Sequence, residues 1–299
     1  MLLVLAVAIL LRLPGLFHDL PFSYYGDELH FVKRSMALGT GDLNPHWFHK
    51  PAFLMYLLLA SFGMLFLGGR FTGQWGSPEE FGAFFLADQG PFLLTARLLV
   101  FAFGIGTVWV GARIARRVGG AATGVVAGAF LALLPAMVEG SQVVKADIPS
   151  AFFVALAAWV YLRSADSDRL RPIVLAGLFA GASMGTKYYG VIALPGIVLA
   201  ELLARAERGR SWPTVLRRIV LLGAVFVATF FVTSPYNFLD PMWRETVVRK
   251  VSHLPEAAPA SGGVAWAEES TGETHFDPDS GVEFEPGLGS LPGALVHFG

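Results

Sequence analysis

Eight apolar stretches constrain this chain more than any other feature: residues 1–17, 51–67, 92–112, 121–138, 148–162, 172–186, 191–203 and 219–233. A membrane span needs about 20 apolar residues, with about 17 as the lower end. Several of these stretches are short, so the spans they form must be tilted, sit in locally thinned bilayer, or be extended by their flanks. Charged residues make up 15% of the 299 residues and hydrophobic ones 54%, against about 25% charged in a soluble domain. The chain is therefore expected to be an all-α, polytopic transmembrane helical bundle. The net charge of −1 points to no nucleic-acid partner. The absence of cysteine excludes disulfides, thiolate metal sites and cysteine nucleophiles. Residues 1–17 lack a basic leader and a small-residue cleavage site, and carry Arg12 near their far end; they are read as a retained helix.

The polar connections are strongly asymmetric. Arg113, Arg116 and Arg117 form one basic set, Arg163, Arg169 and Arg171 a second, and Arg205, Arg208, Arg210, Arg217 and Arg218 a third. They lie between alternate apolar stretches, so they share a side, which the positive-inside rule makes cytoplasmic. Counting 51–67 as a span would put all three sets outside. Treating it as an interfacial or re-entrant segment repairs every loop at once; starting the chain outside is the alternative. The first solution is preferred because it places Asp27 and Asp147 on one face. It leaves about seven spans, a transmembrane core over 1–240, and a long first extracytoplasmic loop over about 18–90 that carries interfacial helices. Gly124 and Gly128, and Gly177, Gly181 and Gly185, have the small-xxx-small spacing of close helix packing. Residues 241–299 form a last segment, which from 251 onward is rich in Gly, Pro and acidic residues and has no Lys or Arg. They read as an extracytoplasmic loop, partly disordered, or as the start of a longer C-terminal region.

Five polar groups stand out against this background. Asp27 and Glu28 suit the first turn of a helix, and a carboxylate at a cavity mouth can also serve as general base toward a hydroxyl. His49 and Lys50 precede Pro51, which suits a first helical turn; they could hold a phosphate, or anchor the interface together with Trp47. Four of the seven histidines, His18, His30, His46 and His49, fall in the first loop, without the spacing of a known metal motif. Arg97 lies inside an apolar stretch, where it either snorkels or faces the bundle interior as an anion ligand. Asp147 precedes Ile148-Pro149 as a helix cap does. Lys187 and Tyr188 occupy the turn between two short apolar stretches, as an interfacial belt or a polar site at membrane depth.

The order of these pieces resembles the membrane-embedded glycosyltransferases of the GT-C type. The sequence runs from a first helix to Tyr25-Gly26-Asp27-Glu28, then to His49-Lys50-Pro51 opening an apolar helix. An Ala96-Arg97-Leu98 helix ending in Ala115-Arg116-Arg117 follows, then an outer turn with Asp147, then Gly181 to Thr186-Lys187-Tyr188. It looks most like the branch containing protein O-mannosyltransferases, the aminoarabinose transferases of lipid A and bacterial family-39 relatives, over residues 2–241. The resemblance implies an integral protein, in a bacterial plasma membrane, with its active site facing outside. It implies inverting transfer of a sugar from a polyprenyl-phosphate donor to an acceptor hydroxyl of a protein, lipid or glycan. Carried onto this sequence, Asp27 becomes the general base and Glu28 its partner. Arg97 and Lys187 are expected to hold the donor phosphate, Asp147 to line the substrate site, and His49, Lys50 and Tyr188 to contact substrate. His49-Lys50-Pro51 varies from the family's His-Pro or Lys-Pro. Some relatives use a divalent metal, and no metal ligand is legible here. The competing expectation is a polytopic transporter or lipid flippase, which should show two related halves with broken spans.

Overall fold

The computed structural model describes residues 1–23, 25–163 and 169–252, and those residues form helices without a strand. The chain divides into two compact units, Met1–Thr246 and Val247–Gly299. Most of the expected outer tail, 253–299, lies outside the described residues. Every apolar stretch becomes helical. Helix α1 (Leu2–Arg12) runs into a 3-10 turn (Pro14–Phe17); α2 (Gly26–Leu38), α3 (Phe53–Thr72) and α4 (Pro78–Ala87) follow. Then come α5 (Gly90–Leu133), α6 (Pro135–Gly140), α7 (Asp147–Arg163), α8 (Arg171–Thr186), a 3-10 turn (Tyr188–Ile192), α9 (Ala193–Arg208), α10 (Trp212–Thr233), α11 (Tyr236–Leu239) and α12 (Pro241–Ser252).

The expected spans 92–112 and 121–138 are two arms of α5, broken at Gly120, whose φ of 88° and ψ of −175° belong to a region open essentially to glycine alone. The return arm folds back on the first: a Cβ at Gly124 would lie 2.9 Å from the Ala112 carbonyl, and one at Gly128 would lie 3.0 Å from Ala112 Cβ. Helix α1 packs on this hairpin through Val4 and Ala8 against Val108 and Ala132. Arg12 is fully buried without a carboxylate partner among the described residues; it donates to the carbonyls of Leu131 (3.1 Å) and Ala132 (2.9 Å). Those carbonyls belong to the last turn of α5, where the helix dipole favours a cation.

The glycines of α8 do what their spacing predicts. Cβ atoms at Gly177 and Gly181 would lie 2.9 and 2.6 Å from the carbonyls of Leu222 and Phe226, so α8 and α10 meet almost backbone to backbone. On its other face α8 meets α7, where Ser150 and Ser183 exchange hydrogen bonds at 2.9 Å. Four helical segments among the described residues are long and apolar enough to cross a membrane: Phe53–Thr72, Gly90–Leu133, Tyr188–Arg208 and Trp212–Thr233. Helices α7 and α8, at 17 and 16 residues, are each about 25 Å long, slightly short of a hydrocarbon core of about 30 Å.

The first arm of α5 is the spine on which α2, α3 and α4 pack. Gly104 meets Ser141 and Ile148 beside the start of α7, so residues 90–103 continue for about 20 Å along the helix axis beyond that level. Phe92 on this projection gathers Phe62 of α3 and Phe81, Phe84 and Phe85 of α4, with centroids 4.9–6.1 Å apart. Helix α3 begins at the ends of the long helices: the Ala52 N–H donates to Ser234 Oγ at 3.0 Å, and Phe53 meets Phe153 at 5.7 Å. Nine residues later Phe62 has reached Phe92. Length and hydropathy alone would let α3 span; its partners are α2, the projecting start of α5 and the terminal turns of its neighbours.

One expectation about the basic loops is corrected. Arg113, Arg116 and Arg117 lie within α5, Arg205 and Arg208 within α9, and Arg217 and Arg218 within α10. Arg218 is buried. Its guanidinium forks onto Glu201 at 2.8 and 2.9 Å and donates to the Arg169 carbonyl at 3.1 Å.

Candidate active site

Helix α2 opens with Asp27 and Glu28 in its first turn, so the helix-start reading of this pair is correct as geometry. The two carboxylates then diverge. Glu28 is fully buried and forks onto Arg97, with Nε–Oε1 of 2.9 Å and Nη2–Oε2 of 2.7 Å. It also accepts from Ser23 Oγ at 2.8 Å and from the Val144 N–H at 2.9 Å. Arg97 donates further to the carbonyls of Leu16 (3.1 Å) and His18 (2.6 Å). One ion pair thereby ties the end of α1, the start of α2, the spine of α5 and the turn before α7. Arg97 neither snorkels nor faces open space; its charge is spent on Glu28 and two carbonyls.

Asp27 points the other way and is 44% exposed, paired with Lys50 Nζ at 2.8 Å. Partial burial works to raise its pKa, but the Lys50 hydrogen bond and charge, aided by Lys145, prevail and hold the carboxyl below the usual range. Lys50 also lies over the rings of Phe31 (5.2 Å) and Trp47 (6.0 Å). Trp47 is the hub of this corner, with Arg34 over its face at 4.5 Å, His30 stacked at 6.1 Å and His49 tilted against it at 5.5 Å.

The remaining residues close the arrangement. Asp147, more than half exposed, is paired with Lys187, and Lys187 lies 5.6 Å from the Tyr189 ring centre. The Tyr188 hydroxyl donates to the Phe48 carbonyl at 3.0 Å and accepts from Asn237 Nδ2 (2.7 Å) and Trp243 Nε1 (3.2 Å). It ties the turn after α8 to the His49-Lys50 segment. Asp27, Glu28, His49, Lys50, Arg97, Asp147, Lys187 and Tyr188 are therefore gathered at one end of the helices by an unbroken series of contacts. Two half-exposed carboxylates, each held by a lysine, face outward over a buried arginine–glutamate fork. Sequence reasoning did not select Lys145, whose charge acts on Asp27 and whose ammonium sits 5.4 Å from the Tyr25 ring. Its place two residues before Asp147 was the available signal.

Among the described residues no group of three or more His, Asp and Glu side chains is arranged to hold a metal ion. The local donor set does not fit a resident divalent ion, because both outward carboxylates are already engaged by ammonium groups.

Comparison with known proteins follows the same lines. A family model described as dolichyl-phosphate-mannose-protein mannosyltransferase matches residues 86–236, which include Arg97, Asp147, Lys187 and Tyr188. No curated protein matches the chain. Among solved structures, ArnT from Cupriavidus metallidurans in the apo state aligns with a TM-score of 0.56 and 22% identity. That alignment covers 88% of this chain and 45% of ArnT, so the chain spans less than half of that protein's length. At this identity the likeness is one of fold, a polytopic helical GT-C bundle in an integral membrane protein. With the family match running over half of its residues, the chain belongs to the dolichyl-phosphate-mannose-protein mannosyltransferase family.

Proposed function

We propose that the protein transfers a sugar from a polyprenyl-phosphate donor to an acceptor hydroxyl, with inversion, at the end of the bundle that carries Asp27. The observation that carries this reading is convergence: motifs from Asp27 to Lys187, spread over more than half of the chain, meet around two outward carboxylate–lysine pairs. The arginine sets lie at the α5 hairpin, at the far ends of α7 and α9 and at the start of α10, which favours a cytoplasmic location there and an extracytoplasmic active site, in the plasma membrane of a bacterium. In that frame α2, α3 and α4 lie across the outer surface as interfacial helices, with α3 packed on helix ends rather than crossing.

In the proposed reaction Asp27 accepts the proton of the acceptor hydroxyl as that oxygen attacks the anomeric carbon. The bond from that carbon to the phosphate oxygen breaks, and polyprenyl phosphate leaves with the electron pair. Lys50, Lys145 and Lys187 are the cations available to the phosphate as its charge grows. A depressed pKa keeps Asp27 ionised at neutral pH but makes it a weaker base, which suits a reaction whose leaving group departs readily. Movement of Lys50 from Asp27 to the donor phosphate would restore basicity when substrate is present. Glu28 and Arg97 are positioning residues in this scheme: their fork fixes the turn that aims Asp27 outward. Tyr188 holds the Lys187 turn against the Lys50 segment, and His49 braces Trp47.

The test is transfer of label from polyprenyl-phosphate mannose and polyprenyl-phosphate aminoarabinose, in parallel, by the full-length protein in proteoliposomes. The expected result is release of polyprenyl phosphate from one donor and a loss of about 10²–10⁴-fold in Asp27→Asn with unchanged thermal unfolding. Full transfer by that variant overturns the base assignment; movement of intact donor across the bilayer without release overturns the transferase reading in favour of a transporter.

A further inference from the structure

We infer that a cleft between the hairpin of α5 and the far end of α7 binds the phosphodiester headgroup of an anionic phospholipid. The cleft has a volume of about 390 Å³ and is lined by Arg113, Arg116, Arg117, Trp159 and Arg163. Arg113, Arg116 and Arg117 have the i, i+3, i+4 spacing that puts side chains on one helix face. Arg163 reaches the same cleft from the last turn of α7. The backbone hairpin at Gly120 presets this face, since the return arm passes so close at Gly124 that a Cβ there would lie 2.7 Å from Arg116 Cβ.

Positive loops on one membrane side are commonplace, and three observations separate this cleft from that background. Its arginines sit on two packed helices rather than in a loop. No carboxylate among the described residues pairs with Arg113, Arg116 or Arg163, whereas Arg97 and Arg218 are both forked onto glutamates. The cleft also has an aromatic wall: Trp109 and Trp159 meet edge to face at 5.4 Å, with Arg113 over the first and Arg163 over the second, each at 5.6 Å. Guanidinium groups match phosphate geometry in two-pronged fashion, and tryptophans at headgroup depth mark the membrane interface. Depth agrees. Sixteen residues separate Asp147 from Arg163, about 24 Å along α7. That sets the cleft near the second boundary of a hydrocarbon core about 30 Å thick. Basic pockets between helices on the cytoplasmic side are suited to anionic headgroups. The source is assigned to lipid rather than free phosphate because α5, which carries three of these arginines, is long and apolar enough to cross a membrane.

The experiment is native mass spectrometry of the purified full-length protein in micelles doped with phosphatidylglycerol or phosphatidylcholine, with thermal unfolding followed in the same micelles and in inorganic phosphate. Phosphatidylglycerol is expected to be retained and to raise the unfolding temperature in the wild type and in Arg171→Gln, an exposed charge at the same end outside the cleft. In Arg116→Gln/Arg163→Gln, retention is expected to fall by about fivefold for each removed charge. Equal retention by the double variant and Arg171→Gln overturns the site. Equal retention of phosphatidylcholine by the wild type overturns the anionic preference, and equal stabilisation by inorganic phosphate overturns the lipid assignment; both readings need only the unaltered protein.

Discussion

The two ends of the bundle hold the same device put to different uses. At one end Arg97 forks onto Glu28, and at the other Arg218 forks onto Glu201; all four side chains are buried. Each arginine also donates to carbonyls that close a neighbouring segment: Leu16 and His18 in one case, Arg169 in the other. A second arginine, Arg210, joins Glu201 at 3.2 Å, whereas Glu28 is completed by Ser23 and the Val144 N–H. The difference lies outside the forks. Among the described residues, the Glu28 end alone adds two half-exposed carboxylates, Asp27 and Asp147, each with its lysine. A buried glutamate beside a candidate catalytic aspartate is thus explained by the same clamp that joins three helical elements where no chemistry is proposed.

That comparison can be broken most directly by removing one partner from each fork. Glu28→Gln and Glu201→Gln each leave a buried guanidinium uncompensated and are expected to cost about 3–5 kcal/mol of stability, read as a lowered unfolding temperature in detergent. Transfer per folded molecule should fall for Glu28→Gln, which loosens the turn that aims Asp27, and remain for Glu201→Gln. A Glu28→Gln protein that melts like the wild type yet has lost activity would make Glu28 chemical rather than structural.

A smaller effect separates the exposed pairs from the forks. Lys50 holds the Asp27 pKa down against the effect of burial, so Lys50→Met lets that pKa rise. The carboxylate is then protonated at higher pH, and the acid limb of the activity profile moves upward in pH. In stability terms the sign is that of a depressed carboxyl: the Asp27–Lys50 contribution is present above the unfolded pKa and is lost as pH falls through the folded value. An acid limb unmoved by Lys50→Met would detach Asp27 from the rate. The smallest effect is expected at Asp147→Asn, which removes an exposed pair and should shift stability by less than about 1 kcal/mol, while reducing transfer. A large loss of stability there would return Asp147 to the role of helix start alone.

Much of this organisation was legible in the chain. Apolar runs become helices because an unpaired peptide group in hydrocarbon is costly, so the composition leaves few alternatives. The glycines of α8 were legible as packing positions because their spacing matches one helix face, and Gly177 and Gly181 do meet the α10 backbone. The acidic first turn of α2 was legible from local preference. Arg97 and Glu28 were not legible as a pair. They lie 69 residues apart, and nothing local distinguishes an arginine that meets a glutamate from one that meets a phosphate. The same limit applied to Tyr188, whose hydroxyl is occupied by groups 49 to 140 residues away, and to Arg218, whose partner Glu201 sits on the preceding helix.

The amino-acid sequence by itself determined that this is a helical membrane protein, where its helices lie, and which end of the bundle is rich in arginine. These depend on composition and on spacing within one helix. Only the tertiary structure decided which of two adjacent carboxylates is buried and which is open. Asp27 and Glu28 share a turn and a charge. The 100° between successive residues of a helix sends Glu28 inward to Arg97 and leaves Asp27 facing Lys50. What lies in each direction is set by the way α5 and the loop before α3 pack around that turn.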